Sequence, residues 1–231
     1  MEDWIKYTLS GIGILFLICF FISQYKKNKD IKNLKDSYSQ LGQDTNVINY
    51  FNHKKNGYFI DIGATDGIDI NNTYLLEKKY GWKGICIEPQ QSYWINLNKN
   101  RDCIKDNSLL YSSKGLELEF SNAGVYGGIT SQIDRHLQAT KAEQVKLKTE
   151  TLNNILNKYN APKFIDYVSL DTEGSELEIL KGIDFDKYKF GYLNIEHNYI
   201  EPRRTNIRKF LESKGYKYYR QNDFDDDYIN S

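Results

Sequence analysis

Acidic residues recur at the ends of apolar runs in this chain. Phe59-Ile60-Asp61-Ile62-Gly63-Ala64-Thr65-Asp66-Gly67 is an apolar run that meets an acid and then bends through two glycines. Gly84-Ile85-Cys86-Ile87 ends in Glu88-Pro89. Val168-Ser169-Leu170 ends in Asp171-Thr172-Glu173-Gly174-Ser175-Glu176, and a fourth run ends in Glu196-His197-Asn198. Glycines after a strand let the backbone approach a ligand closely. An acid at the end of the next strand can accept hydrogen bonds from a ribose diol. The first two stretches therefore predict two parallel strands whose ends hold a nucleoside-bearing cofactor.

A dinucleotide site needs a third glycine so that helix and strand can pack around the pyrophosphate. Gly63-Ala64-Thr65-Asp66-Gly67 has two, and Asp61 and Asp66 would repel a pyrophosphate. These acids suit a positively charged ligand such as S-adenosylmethionine, whose ribose could reach Glu88. Asp171 and Glu173 flank a further strand end, where open α/β sheets place their ligands. Glu176 falls in the first turn of the following helix and reads equally as a cap or a catalytic acid. His197 reads as a general base near neutral pH or as a hydrogen-bonded structural residue.

Strands that position these acids alternate with helices. Strands are predicted at Tyr58–Ile62, Gly84–Glu88, Leu116–Phe120, Val145–Lys148, Phe164–Leu170 and Tyr192–Ile195. An interrupted third strand is predicted at Cys103–Lys105 and Ser108–Tyr111, and a terminal hairpin at Tyr216–Arg220 and Asp227–Asn230. Helices are predicted at Thr45–Phe51, Asn72–Tyr80, Ser92–Asn100, Thr151–Tyr159, Ser175–Gly182 and Thr205–Ser213. The glycine-rich segment Ser121–Lys141 has no period and reads as an active-site loop or lid. The alternation implies a three-layer α/β fold with a mostly parallel sheet.

The 231 residues suit one domain plus an appendage, and 40% of them are apolar, enough for a core. A net charge of zero argues against a nucleic-acid binder that relies on bulk charge. Cys19, Cys86 and Cys103 show no CxxC spacing and read as small buried hydrophobes rather than zinc ligands or a disulfide framework. The span Leu9–Ile22 lies in a stretch free of charge between Lys6 and Lys26, and predicts a membrane-crossing helix within residues 1–26. Lysines dominate the linker at 27–36, which places the domain at 37–231 on the cytosolic side of a single-pass anchor.

An ordered set of motifs carries a family resemblance. Ser39-Gln40-Leu41-Gly42-Gln43-Asp44, Gly57 through Gly67, Asn72-Thr73, Gly81-Trp82-Lys83-Gly84 with Ile87-Glu88-Pro89, Ser169 through Glu176, and Ile195-Glu196 together resemble the FkbM family of methyltransferases. The resemblance implies a Rossmann-like class I methyltransferase fold, S-adenosylmethionine as methyl donor, and O-methylation of a sugar or other small-molecule or glycan hydroxyl. It implies that Asp61, Gly63, Asp66 and Gly67 line the methionine end of the cofactor. Glu88 would take the ribose hydroxyls and Asn107 would lie near the adenine. Asp171 and Glu173 would face the methyl-transfer region. Thr65 departs from the family, which has Asn in this loop, and Ser121–Lys141 matches no family pattern.

The expected reaction needs alignment and a base for the hydroxyl proton, with Asp171, Glu173 and His197 as candidates. A divalent cation on Asp171, Glu173 and Glu196 is the metal-bearing version; the sequence reading prefers a site without metal. A nicotinamide-dependent oxidoreductase and a membrane-tethered binding module on a decayed scaffold are the competing readings. The missing third glycine counts against the former, and acids retained at three strand ends against the latter.

Overall fold

Continuous apolar runs are expected where a strand is buried on both faces of a parallel sheet, and the centre of this molecule is built from them. The computed structural model describes residues 36–230. The predicted membrane span and the linker up to Lys35 lie outside the described residues; among those described, no helix is long and apolar enough to cross a membrane. The elements run α1 (Gln43–Tyr50), β1 (Tyr58–Ile62), α2 (Tyr74–Tyr80), β2 (Lys83–Ile87), α3 (Trp94–Asn100), β3 (Ile104–Asp106), β4 (Leu109–Leu110), β5 (Glu117–Ser121), β6 (Gly128–Ile129) and β7 (Gln144–Glu150). They continue with α4 (Leu152–Lys158), β8 (Phe164–Leu170), α5 (Glu176–Lys181), β9 (Lys189–Glu196), α6 (Arg203–Ser213), β10 (Tyr216–Asn222) and β11 (Asp225–Asn230).

The main sheet has the order β10-β11-β9-β8-β1-β2-β3. From β3 to β9 all pairings are parallel. The predicted terminal hairpin exists, but β11 inserts antiparallel between β9 and β10, so the sheet is mixed. The predicted interrupted third strand is in fact two strands in two sheets. The Asp106 carboxylate accepts a hydrogen bond from the Ser108 amide at 2.9 Å, a turn that redirects the chain. β4 then joins a smaller sheet of order β4-β7-β5-β6.

Alternation along the strands divides the core. Ile60, Ile62, Val168, Leu170, Leu193 and Ile195 pack with Leu152, Leu156, Ile179, Leu180, Ile207 and Leu211 of α4, α5 and α6. Phe59, Cys86, Tyr167 and Tyr192 pack on the other face with Val47, Leu75, Leu76 and Leu97 of α1, α2 and α3. Cys86 is buried as expected, but Cys103 is only half-buried. Their sulfurs lie 3.3 Å apart as free thiols. Strand order reverses between β1 and β8, and this topological switch opens a crevice at the carboxyl ends of the strands.

Candidate active site

The loop after β1 is shaped by what surrounds it. Gly63 has φ +87°, and a Cβ there would sit 1.9 Å from the Asp171 carbonyl oxygen, so only glycine lets β1 and β8 approach at their ends. Asp61 turns toward the start of α2 and accepts hydrogen bonds from Thr73 Oγ1 at 2.6 Å and Asn71 Nδ2 at 2.9 Å. Asp66 accepts from the amides of Ile68 and Asp69 at 2.9 and 3.0 Å. Gly67, also at positive φ, lies under Arg101 and Leu97. Glu88 accepts from the Thr65 amide at 2.9 Å and the Gln90 amide at 2.8 Å, which ties the loop to the end of β2. Burial pushes the Glu88 carboxyl up to about 7, against the lowering effect of those two amides.

Three adjoining cavities follow the carboxyl edge. The first is mostly apolar, with Ile87, Leu109, Leu110, Phe120, Ile129 and Ile179 in its wall. The second is polar and bounded by Asp61, Gly63, Asn72, Glu88, Asp171 and Glu173. The third is lined by Gln40, Tyr126, Arg135, His136, Glu196 and Asn198, among others. Gly63 and Glu88 belong to both the first and the second cavity. Asp171 and Glu173 belong to both the second and the third. The segment predicted as an active-site loop contributes to all three through Val125, Tyr126, Gly127, Ile129 and His136.

At the junction of the second and third cavities, carboxylate oxygens of Asp171, Glu173 and Glu196 lie within 4.8 Å of one another. Glu173 is held at φ +58°, and the loop passes so close to the Gln132 carbonyl that a Cβ at Gly174 would sit 2.0 Å from its oxygen. Glu176 braces this loop from below. Its Oε1 accepts from the amides of Thr172 and Gly174 and from Thr172 Oγ1, each at 3.0 Å, and its Oε2 pairs with Arg203 at 2.8 Å. Glu176 is therefore a loop brace rather than a reacting acid. Burial and then the Glu176 charge push Asp171 up to about 7. Burial and then Asp171 push Glu173 up to about 8, and the same two causes raise Glu196 well above the carboxylate range.

The sequence from residue 61 to residue 218 matches the family model of the methyltransferase FkbM domain. The chain belongs to this family. No curated protein matches it. Among solved structures it is similar to the precorrin-6y C5,15-methyltransferase of Geobacter metallireducens, at 12% identity over 81% of this chain and 87% of that one, with a TM-score of 0.45. It is also similar to the METTL16 methyltransferase domain, at 14% identity over 82% of this chain and 66% of that one, with a TM-score of 0.46. A SAM-dependent methyltransferase of Aquifex aeolicus is 18% identical over 87% of this chain and 96% of that one, with a TM-score of 0.35.

In this FkbM domain the residues singled out from sequence fall into two groups. Asp61, Gly63, Glu88, Asp171 and Glu173 line the cavities. Asp66 and Gly67 shape the loop without lining them. Asn107 is exposed and lines none of the three cavities, while its buried neighbour Asp106 makes the turn and Ser108 lines the apolar cavity. His197 is not brought to the site either. It is 1% exposed, its Nδ1 accepts from the Tyr199 amide at 2.9 Å, its Nε2 faces Asp226 at 3.4 Å, and it lines none of the three cavities. Sequence reasoning missed two buried arginines. Arg101 joins Glu77, the Gly67 carbonyl, Asn71 and Thr73, fixing the loop from Gly67 to Thr73. Arg203 joins Glu176, Asp134 and the His197 carbonyl, fixing the loops after β8 and β9 to each other. Asn72, part of the quoted motif, was given no role; its Oδ1 is buried in the second cavity without a hydrogen-bond partner.

Proposed function

We propose that this FkbM-family chain is an S-adenosylmethionine-dependent methyltransferase that methylates a hydroxyl of a sugar or another small-molecule or glycan acceptor. The row of three cavities carries the reading: an apolar slot, a polar middle and an open chamber, with Glu88 at the first junction and Asp171 and Glu173 at the second. The residues present fit the cofactor. Leu109, Leu110 and Ile129 would hold the adenine, and Glu88 would accept from the ribose hydroxyls. The unpartnered Asn72 Oδ1 would accept from the ammonium, beside the close-approach backbone at Gly63. When bound, the cofactor supplies a methyl group activated by a sulfonium and becomes a neutral thioether as that group departs.

The protein's part is alignment and proton removal. Asp171 stands at both the middle and the open cavity, where an acceptor hydroxyl would meet the methyl group. As the acceptor oxygen takes the methyl group, the Asp171 carboxylate would take the hydroxyl proton. A carboxyl near 7 is matched to that task, because a base works best when its pKa lies near the working pH. Tyr126 stacks against His136 at 4.1 Å in the wall of the open chamber, with Gln40 and Arg135 nearby. Aromatic faces beside hydrogen-bonding groups suit a hydroxyl-rich ring. The apolar span Leu9–Ile22 supports a single membrane anchor with the domain on the cytosolic side, and carbonate extraction of membranes carrying the full chain tests it.

The deciding experiment measures equilibrium binding of S-adenosylmethionine to the full chain and then screens sugars, glycans and other hydroxyl compounds for S-adenosylhomocysteine release. Saturable binding, weakened in Glu88→Ala, and product release with a hydroxyl acceptor are expected. Absence of saturable binding overturns the reading.

A further inference from the structure

Three carboxylates meet at the ends of β8 and β9, and among the described residues none of them has a cation of its own in contact. Glu173 and Glu196 are 6% and 4% exposed, and the Oε2 of each has no hydrogen-bond partner. Among the described residues, no Lys, Arg or His forms an ion pair with Asp171, Glu173 or Glu196, and the nearby guanidinium of Arg203 is committed to Glu176 at 2.8 Å and Asp134 at 3.3 Å. Asn198 supplies a separate observation. Its side chain is 6% exposed, its Nδ2 has no partner, and it lines the same chamber as the three acids. Rotation of that amide exchanges its oxygen and nitrogen, so it can present either a fourth ligand oxygen or a donor to a ligand already held.

Buried charges persist when they are paired or when they coordinate an ion. A site made only of carboxylate and amide oxygens suits a hard divalent cation rather than zinc or copper. Oxygens within 4.8 Å of one another can reach one ion between them. Magnesium keeps several coordination positions for water or substrate when only a few carboxylates hold it.

We propose that Asp171, Glu173 and Glu196 bind one hard divalent cation, of magnesium or manganese type, whose open positions seat the acceptor's hydroxyl oxygens. The second half rests on the methyltransferase reading, because Asp171 and Glu173 also border the cavity assigned to the cofactor. The ion anchors the acceptor; its charge makes Asp171 a weaker base and the bound hydroxyl a stronger acid, and the hydroxyl proton still leaves to a carboxylate of the trio. Acceptors with two neighbouring hydroxyls gain most, since both oxygens can reach one ion.

The test strips the purified full chain of metal with a chelator and titrates it with Mn2+, following free Mn2+ by electron paramagnetic resonance, with Mg2+ as competitor. S-adenosylhomocysteine affinity is measured on the same samples. One Mn2+ per chain is expected, displaced by Mg2+. Glu196→Gln is expected to weaken it roughly tenfold or more, because site affinity follows ligand charge. Glu196 does not line the cofactor cavity, so that variant should keep its S-adenosylhomocysteine affinity, which also shows that it folds. Glu117→Gln, at an exposed acid on β5, should bind Mn2+ like the parent. S-adenosylhomocysteine binding without stoichiometric Mn2+ binding, or Mn2+ binding untouched by Glu196→Gln, overturns the cation site and leaves the methyltransferase reading intact. Mn2+ binding lost in Glu196→Gln, without S-adenosylhomocysteine binding, supports the site and overturns the methyltransferase reading instead.

Discussion

Two groups of buried acids stand side by side across β9 and β11, where Glu196 lies in register with Asp225. In one group every acid has partners. Asp225 accepts from Gln43 at 2.9 Å and Asn194 at 3.1 Å. Asp226 takes both arms of Arg204 at 2.7 and 2.9 Å, with Arg208 at 3.0 Å. Asp227 holds Asn194 at 2.7 Å and Arg220 at 2.8 Å, and accepts from the Tyr192 hydroxyl. In the other group, Glu173 and Glu196 each bury an oxygen that has no hydrogen-bond partner among the described residues. Burial alone therefore does not mark a functional acid. The partnered group holds the last strand against β9, and the oxygens without partners are the ones a ligand could satisfy.

The largest expected contrast is between charge removal at the two groups. Asp171→Asn should lower the methyl-transfer rate by about 10²- to 10⁴-fold, the usual worth of a positioned base. Its melting temperature should be no lower than the parent's, because the change relieves crowding of like charge. A rate within about twofold of the parent would remove Asp171 from the mechanism. Asp226→Ala should do the reverse. It strips the partner from Arg204 and Arg208 and should cost about 3 kcal/mol in urea denaturation, while the protein that remains folded keeps its S-adenosylhomocysteine affinity. If Asp226→Ala leaves stability unchanged, the partnered acids do not hold β11 and the comparison fails.

Sequence reasoning reached one group and overlooked the other for a physical reason. β1 and β8 were legible to the residue because both are short apolar runs bounded by breakers, and a ligand-bearing acid at a strand end is a local pattern. Asp225-Asp226-Asp227 spans the predicted start of the hairpin's second strand at Asp227 and the turn before it. Its burial depends on Gln43, Asn194, Arg204 and Arg220, which are distant in sequence, and no periodicity announces them. The same non-locality hid Arg101 and Arg203. His197 was singled out by residue type, and Asn107 by the family resemblance; neither carried information about side-chain direction. The segment Ser121–Lys141 was legible as a loop from its glycines, but its course along three cavities was not.

Within the partnered group, neighbouring residues should respond to pH with opposite signs. Burial and then the Asp171 charge push Asp225 up to about 7, and its bonds from Gln43 and Asn194 only partly offset this. A carboxyl raised above its unfolded value of about 4 favours folding below that value and loses this contribution as pH rises through 7. For Asp226, burial acts to raise the carboxyl, but His197, Arg204 and Arg208 outweigh it and hold it well below the usual range. Its contribution is present above about 4 and is lost as pH falls through the lowered value. Urea denaturation from pH 3 to 9 should show stability declining at both ends. Asp225→Asn should flatten the decline between about pH 4 and 7, where one proton held only by the native state changes the slope by up to about 1.4 kcal/mol per pH unit. An unchanged decline would show that Asp225 is ionised in the native state throughout.

The smallest effect calibrates the others. Glu117 on β5 faces Lys146 on β7 at 3.6 Å, with the two side chains 55% and 67% exposed. Water screens such a pair, and holding two long side chains together costs entropy, so exposed ion pairs contribute between zero and about 1 kcal/mol. Glu117→Gln should therefore shift stability by less than about 0.5 kcal/mol and leave methyl transfer unchanged. A larger loss would mean that acids contribute to this fold through net charge rather than through individual partners. The contrast between Asp226 and Asp171 would then have to be read against that background instead of as a difference between satisfied and unsatisfied oxygens.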